Sequence, residues 1–563
     1  MDLLLPHRLE RIDLLSSESF DCFDAFGHGK FQRRLLLLCT LATFLVTTNT
    51  YLNRLVFRDV DHWCKRPPDA NMSVLEWRNV AIPLEADGRY SHCSRYENPD
   101  EPNDTRTVPC EEWDYDEQTV ESSIVSQWNM VCDKRSRVTT IVLFQVYARM
   151  VIGVAAGSVA DRVGRKPIVL VAVTILLAST IATSLANSYP LYLAARCFAS
   201  CAASSAYILI GITFFEVTTH DNRPLHVVIV GALAIVASDL WFGFVAQLDL
   251  HWALKQAAYL APTYLLAAAF FLIVESPRWL VAKMRYAEAE GVMLVAGEVN
   301  DFPPHDTSRL INKIKANAGA RSRVSTQEMF QGVSIRRRAF AISAAYFTLH
   351  FTLFTVVFSS IFRNALVLQW VSLATLIPFL GAMFVLITRV TMLTFTSFSS
   401  GALGLILCLL SWAAGFEPLI VREALVVVAK AVGLVGNIVM CCYILELFPT
   451  AVRGTVSGWY HGFGMLGALS SEVVKPLQKA GREDVAFGVA ASLMFASVLA
   501  LRLLPQNTTV ECAKVSARSA RHATASSLEN VERMKRTLGE HEHAGPRKTW
   551  DHRSVSQTSF VKP

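Results

Sequence analysis

The densest group of ionisable residues at fixed spacing is Gly157–Pro167, which reads G-S-V-A-D-R-V-G-R-K-P and separates two long apolar runs. Asp161, Arg162, Arg165 and Lys166 crowd a turn of only a few residues. Charges of both signs at that density can pair with one another and cap helix ends. Gly164 supplies a backbone free to take positive φ, and Pro167 suits the first turn of the next helix. A second pattern repeats across the chain. Glu216 precedes Arg223 by seven residues and Glu446 precedes Arg453 by seven, each pair just beyond an apolar run. Glu275 and Arg278 follow another such run. Asp161, Arg162, Gly164, Arg165, Glu216, Arg223, Glu275, Arg278, Glu446 and Arg453 therefore read as one gate. Its charges pair when one end of a helix assembly closes and separate when it opens. An exposed pair is worth only about 0–1 kcal/mol, so a network is needed to bias an equilibrium of a few kcal/mol.

Three charges fall inside apolar runs: Arg149, Asp239 and Lys430. A charge there is expensive and faces protein or a water-filled cavity. Arg149 and Asp239 are candidates for a pair between the second and fifth helices. Lys430 is a candidate cavity cation, or one that snorkels to an interface. His350 and His461 are weaker candidates, because a lone helical histidine is more often packed and neutral. Four cysteines, Cys64, Cys93, Cys110 and Cys132, share one hydrophilic stretch with glycosylation sequons at Asn71 and Asn103. They point to two disulfides in an outside compartment, with three pairings open. The cysteine spacing fits no metal site, and neither a phosphate-cradling loop nor a nucleophile–base set stands out. Enzyme activity, a cofactor and a metal are thus not expected.

These residues must be positioned by membrane-spanning helices. Of 563 residues 52% are hydrophobic and 18% charged, below the roughly 25% charged of soluble domains. The net charge of +6 concentrates in short loops and in 275–338, which argues for membrane topology and not for nucleic acid. Runs near the roughly 20 residues needed to cross a bilayer fall at 34–52, 139–160, 168–187, 190–214, 225–246 and 252–274. Six more follow at 339–360, 366–387, 391–413, 418–445, 455–474 and 485–504. The expected architecture is all-α, with twelve helices in two six-helix bundles, 32–274 and 339–504. Segment 53–138 is an extracellular loop, and 275–338 joins the bundles in the cytoplasm. Residues 1–31 are of mixed charge and are placed in the cytoplasm by Arg33 and Arg34 ahead of the first run, and the polar tail 505–563 is expected to be a disordered cytoplasmic extension. A sequon at Asn507 falls on that side and is rejected.

The motif at Gly157–Lys166 resembles the signature between the second and third helices of the major facilitator superfamily. Gly29-Lys30-Phe31-Gln32, Asp61-His62-Trp63-Cys64, Ser126–Cys132, Glu275–Leu280 and Glu446–Arg453 narrow the resemblance to the organic cation, anion and zwitterion transporters, solute carrier family 22. It implies a plasma-membrane carrier whose bundles rock about a central cavity, moving a small organic ion by facilitated or exchange transport. The lipid bilayer and that ion are the expected partners. The resemblance also places Tyr346, Phe347, Phe351 and Phe354 of the seventh helix, and Tyr443 of the tenth, along the cavity. The chain departs from the family in its second half. Thr388–Leu393 has lost the aspartate, the glycine and two basic residues of the repeated signature. Leu376 and Ile377 precede Pro378 where a glutamate is common, and Met465 stands where the family often has a charge. Those losses favour one alternative, a receptor-like relative that binds a ligand or partner protein without transport; Asp239 leaves open a second, a proton- or sodium-coupled carrier.

Overall fold

The computed structural model describes residues 29–58, 60–68, 72–85, 88–99, 105–116, 123–219, 222–301, 308, 312, 333–357, 389–413 and 419–506. Eleven helices carry the architecture: α1 (Lys30–Val56), α2 (Ser136–Val163), α3 (Arg165–Ser184), α4 (Tyr189–Val217), α5 (Arg223–Ala246), α6 (Trp252–Leu260), α7 (Val333–Val357), α8 (Arg389–Trp412), α9 (Leu419–Leu447), α10 (Arg453–Ser471) and α11 (Glu483–Leu501). Among the described residues nine helices are long and apolar enough to cross a membrane.

Three expected spans account for the difference from twelve. The run at 366–387 lies outside the described residues. The run at 252–274 is not one helix: α6 stops before Pro262, and a short helix Thr263–Ala268 and a 3-10 turn Phe270–Leu272 follow. Proline has no amide hydrogen to donate and crowds the preceding turn, which interrupts the expected continuous span. The third, α10, is built on Gly454, Gly458, Gly462, Gly464 and Gly467, which lower its apolar content.

Helices α1 to α5 pack on one another as one bundle, and α7 to α11 as a second. The bundles meet chiefly along α2 and α10, with smaller contacts of α5 against α9 and α4 against α10. The α2–α10 seam is made by glycines every fourth residue. A Cβ on Gly157 would fall on the Gly454 carbonyl, and one on Gly458 on the Gly153 carbonyl. Small residues at this spacing bring helix backbones into direct contact inside a bilayer.

Between α1 and α2 lies a small polar domain. Strands β1 (His62–Cys64) and β4 (Trp113–Tyr115) pair antiparallel, as do β2 (Ser94–Tyr96) and β3 (Thr107–Pro109). Of the three open disulfide pairings the structure takes Cys64–Cys110 and Cys93–Cys132. Trp63, Trp77, Ala81 and Ile82 form a small core around Cys64, and the Trp77 indole donates to the Cys64 carbonyl at 3.0 Å. Asn71 and Asn103 lie outside the described residues. At the opposite end of the bundles, the helix Tyr286–Val299 docks on the start of α1, where Asn300 accepts from the Phe31 amide at 2.9 Å.

Candidate functional site

The turn at Gly164 generates the first half of the site. Gly164 adopts φ 127° between α2 and α3, and a Cβ there would lie 2.6 Å from the Glu275 carboxylate. That carboxylate accepts from the Arg165 amide at 3.0 Å and the Lys166 amide at 3.1 Å. Glu275 thus caps the start of α3, where free amides and the helix dipole favour an anion. Asp161, four residues before Arg165, does the same across the bundle boundary. It accepts from the amides of Gly454 (3.1 Å) and Thr455 (2.7 Å) and from the Thr455 hydroxyl (2.9 Å), at the start of α10.

Arg165 is fully buried and pairs with Glu216 at the end of α4. The other oxygen of Glu216 accepts from Arg453 of the second bundle at 2.5 Å, and Ser276 donates to the same carboxylate. Arg165 also donates to the Thr450 carbonyl at 3.0 Å. One carboxylate therefore holds two guanidiniums, one from each bundle. Glu446 takes a different partner. It pairs with Arg389 at 2.7 Å, the one basic residue left in the degenerate Thr388–Leu393 stretch. The stretch that lost most of the repeated signature thus keeps one contact of a different build: Arg389 reaches the Glu446 carboxylate. Arg223 is buried, with its Nε donating to the carbonyls of Phe215 and Thr218. Arg278 is half-buried beside the capped turn, whereas Arg162 is exposed and stands apart from the network.

A second tie joins the bundles further along α5 and α9, toward the disulfide domain. Lys430 donates to Asp239 at 2.8 Å, and both are buried. This overturns the expected Arg149–Asp239 pair, since Asp239 faces α9 across the boundary and not α2. It also removes Lys430 from the cavity wall: its ammonium lies 5.6 Å from the Tyr51 ring centroid and is held by Asp239.

Between the two ties lies a cavity of about 250 Å³ lined from both bundles. Of the residues expected there, Tyr346, Phe354 and Met465 line it, and so do Arg149, His350 and His461. Tyr443 does not: it is fully buried and its hydroxyl donates to the Pro505 carbonyl at 3.1 Å. Phe347 turns away and stacks on Phe351, because α7 presents Tyr346, His350 and Leu353 to the cavity, at spacings of three and four. Met465 packs with Val146 of α2, and Met150 lies beside them, so it faces the same turn that carries Arg149. Tyr207 of α4 and Tyr346 of α7 approach the Cys441 thiol from opposite bundles, at 3.8 and 3.4 Å. Sequence reasoning missed Asn437 and Ser457, which also line the cavity. The four-residue glycine spacing of α10 was the available signal that this helix meets another closely.

A model of the family described as "Sugar (and other) transporter" matches residues 102–458. Solute carrier family 22 member 7 of Mus musculus is 25% identical over 492 residues, covering 80% of this chain and 87% of its own. Organic anion transporter 3 of Rattus norvegicus is 25% identical over 469 residues, covering 79% and 84%. Among solved structures, the major facilitator proton:xylose symporter XylE bound to 6-bromo-6-deoxy-D-glucose aligns with a TM-score of 0.61 at 13% identity. That match covers 86% of this chain and 98% of XylE.

Proposed function

This chain belongs to the Sugar (and other) transporter family of the major facilitator superfamily, as a divergent member of solute carrier family 22, and from that premise we propose that it moves small organic ions across the plasma membrane by alternating access. The observation that carries the reading is the cavity between the bundles, with a separable tie on either side of it. On one side Glu216 joins Arg165 to Arg453 and Asp161 caps α10; on the other Lys430 meets Asp239. Each tie is made of charges that water can solvate once the bundles part, so each can be exchanged for hydration as one end opens. The Gly157–Pro167 end is cytoplasmic, together with both termini, because Arg162, Arg165 and Lys166 lie in a short loop. The disulfide domain is extracellular.

Transport is facilitative or by exchange. Asp239, the carboxylate a coupled carrier would use, is occupied by Lys430, and no carboxylate is among the described residues that line the cavity. The receptor-like reading rested on the decayed Thr388–Leu393 stretch and on the lost cavity charges, and the Arg389–Glu446 bond weakens the first of these grounds. The test is uptake of labelled organic ions into cells expressing the full chain. Saturable uptake that disappears in Arg165→Ala at unchanged surface level is expected, with no dependence on sodium. A normal surface level with no uptake of any ion would sink the carrier reading.

A further inference from the structure

We propose that Arg149 anchors the anionic group of the substrate, so that this cavity takes small amphipathic carboxylates; the inference deepens the carrier reading and rests on it. Arg149 lies midway along α2 and is 4% exposed. Its hydrogen-bond partners are neutral hydroxyls: Thr50 of α1 at 2.7 Å and Ser200 of α4 at 3.4 Å. Among the described residues its Nε has no partner. A guanidinium at membrane depth with only hydroxyl partners lacks the counter-ion that buried charges require. Asp239 cannot serve, being bound to Lys430.

Three further buried polar atoms on the cavity wall also lack a partner among the described residues: Nε2 of His461, the Ser457 hydroxyl and Oδ1 of Asn437. His461 lies against α2 one turn from Arg149, since a Cβ on Gly153 would sit 3.1 Å from its ring. A carboxylate accepts, and Arg149 Nε, Ser457 and the Nε2–H tautomer of His461 are all donors. Asn437 Oδ1 is left to accept from a hydroxyl or amide elsewhere on the substrate. Val230, Ile235, Leu353, Phe354, Leu434 and Ile438 form apolar walls for the rest of it. A polar cluster of this size within an apolar cavity is the usual form of an orienting site. An organic cation would meet the guanidinium with no carboxylate among the described lining residues to compensate.

Three probes share one body and differ in charge: 4-phenylbutyrate, its neutral amide, and 3-phenylpropyltrimethylammonium. In cells expressing the full chain the carboxylate should enter at least tenfold faster than the other two. The Arg149→Gln variant should lose at least tenfold of that uptake at unchanged surface level, and Arg149→Lys should keep part of it. With purified full-length protein in nanodiscs, 4-phenylbutyrate should raise the melting temperature of wild type but not of Arg149→Gln. Ligand-free Arg149→Gln should melt no lower than wild type, because it removes an uncompensated buried charge; a merely structural arginine would lower it. Wild-type uptake by Arg149→Gln, equal uptake of the ammonium probe, or melting of both Arg149 variants below wild type would overturn the proposal. So would a protein neither stabilised by the carboxylate nor able to carry it. Arg149-dependent stabilisation without uptake would keep the site and overturn the carrier reading instead.

Discussion

Glu216→Gln removes the carboxylate that holds two guanidiniums while changing the side-chain volume little. The side chains of Arg165, Glu216 and Arg453 are 0%, 0% and 6% exposed, so solvent does not screen the loss. Removing one member of a buried pair costs about 3–5 kcal/mol, chiefly because the partner charge is left in a dry site. That cost falls on the latched state. With the bundles parted at this end, water reaches Arg453 and the penalty is relieved. At about 1.4 kcal/mol per factor of ten, the ratio of latched to unlatched protein should fall by a factor between roughly 10² and several thousand. Cys441 reports the change: it lines the cavity beside Tyr207 of the opposite bundle and becomes reachable when the latch end opens. A charged, membrane-impermeant maleimide is applied to inside-out vesicles, and alkylation of the Cys441 peptide is followed by mass spectrometry. Faster labelling is expected for Glu216→Gln. Arg453→Gln should give a smaller increase, since the Arg165–Glu216 pair survives, and the double variant should fall between wild type and Glu216→Gln. Labelling of Glu216→Gln at the wild-type rate, with normal surface expression, would refute the reasoning.

Gly157→Leu should abolish transport with little effect on insertion, because its side chain would fall on the Gly454 carbonyl and force α2 from α10; Gly291→Ala, in open space on the helix Tyr286–Val299, should leave uptake unchanged. Lys430→Met or Asp239→Leu alone should lower the melting temperature, each leaving a buried charge worth about 3–5 kcal/mol, and the double variant should recover most of the loss. If the double is as unstable as the worse single, the pair is not the interaction that matters. Non-reducing peptide mapping should find Cys64 linked to Cys110 and Cys93 to Cys132. Loss of either bond should cost about 2–4 kcal/mol of loop-domain stability, read as increased protease cleavage between α1 and α2.

Much of the latch is legible in the amino-acid sequence. Asp161, Arg165, Glu216, Glu275 and Arg453 declare themselves because charges cluster where apolar runs stop, and length alone sets where a bilayer-crossing helix must stop. The pairing is not legible there. The seven-residue Glu-to-Arg repeat marks these residues without assigning their partners: Glu216 bonds Arg453 of the other half and Glu446 bonds Arg389. Pairing depends on where two rigid bundles meet, and no local spacing contains that distance.

The same limit separates the rest. Composition and the length of the apolar runs alone determined an all-α membrane chain, its stapled polar domain and the approximate course of most spans, because burial in lipid constrains each segment by itself. Only the tertiary structure decided which intramembrane charges compensate one another. Asp239 goes to Lys430, and Arg149 is left facing the cavity with hydroxyls alone. Helix rotation decided the aromatics in the same way, turning Tyr346 inward while Phe347, one residue on, packs against Phe351. A residue's type states what chemistry it can do, but the roughly 100° turn per residue and the contact between bundles determine what it faces.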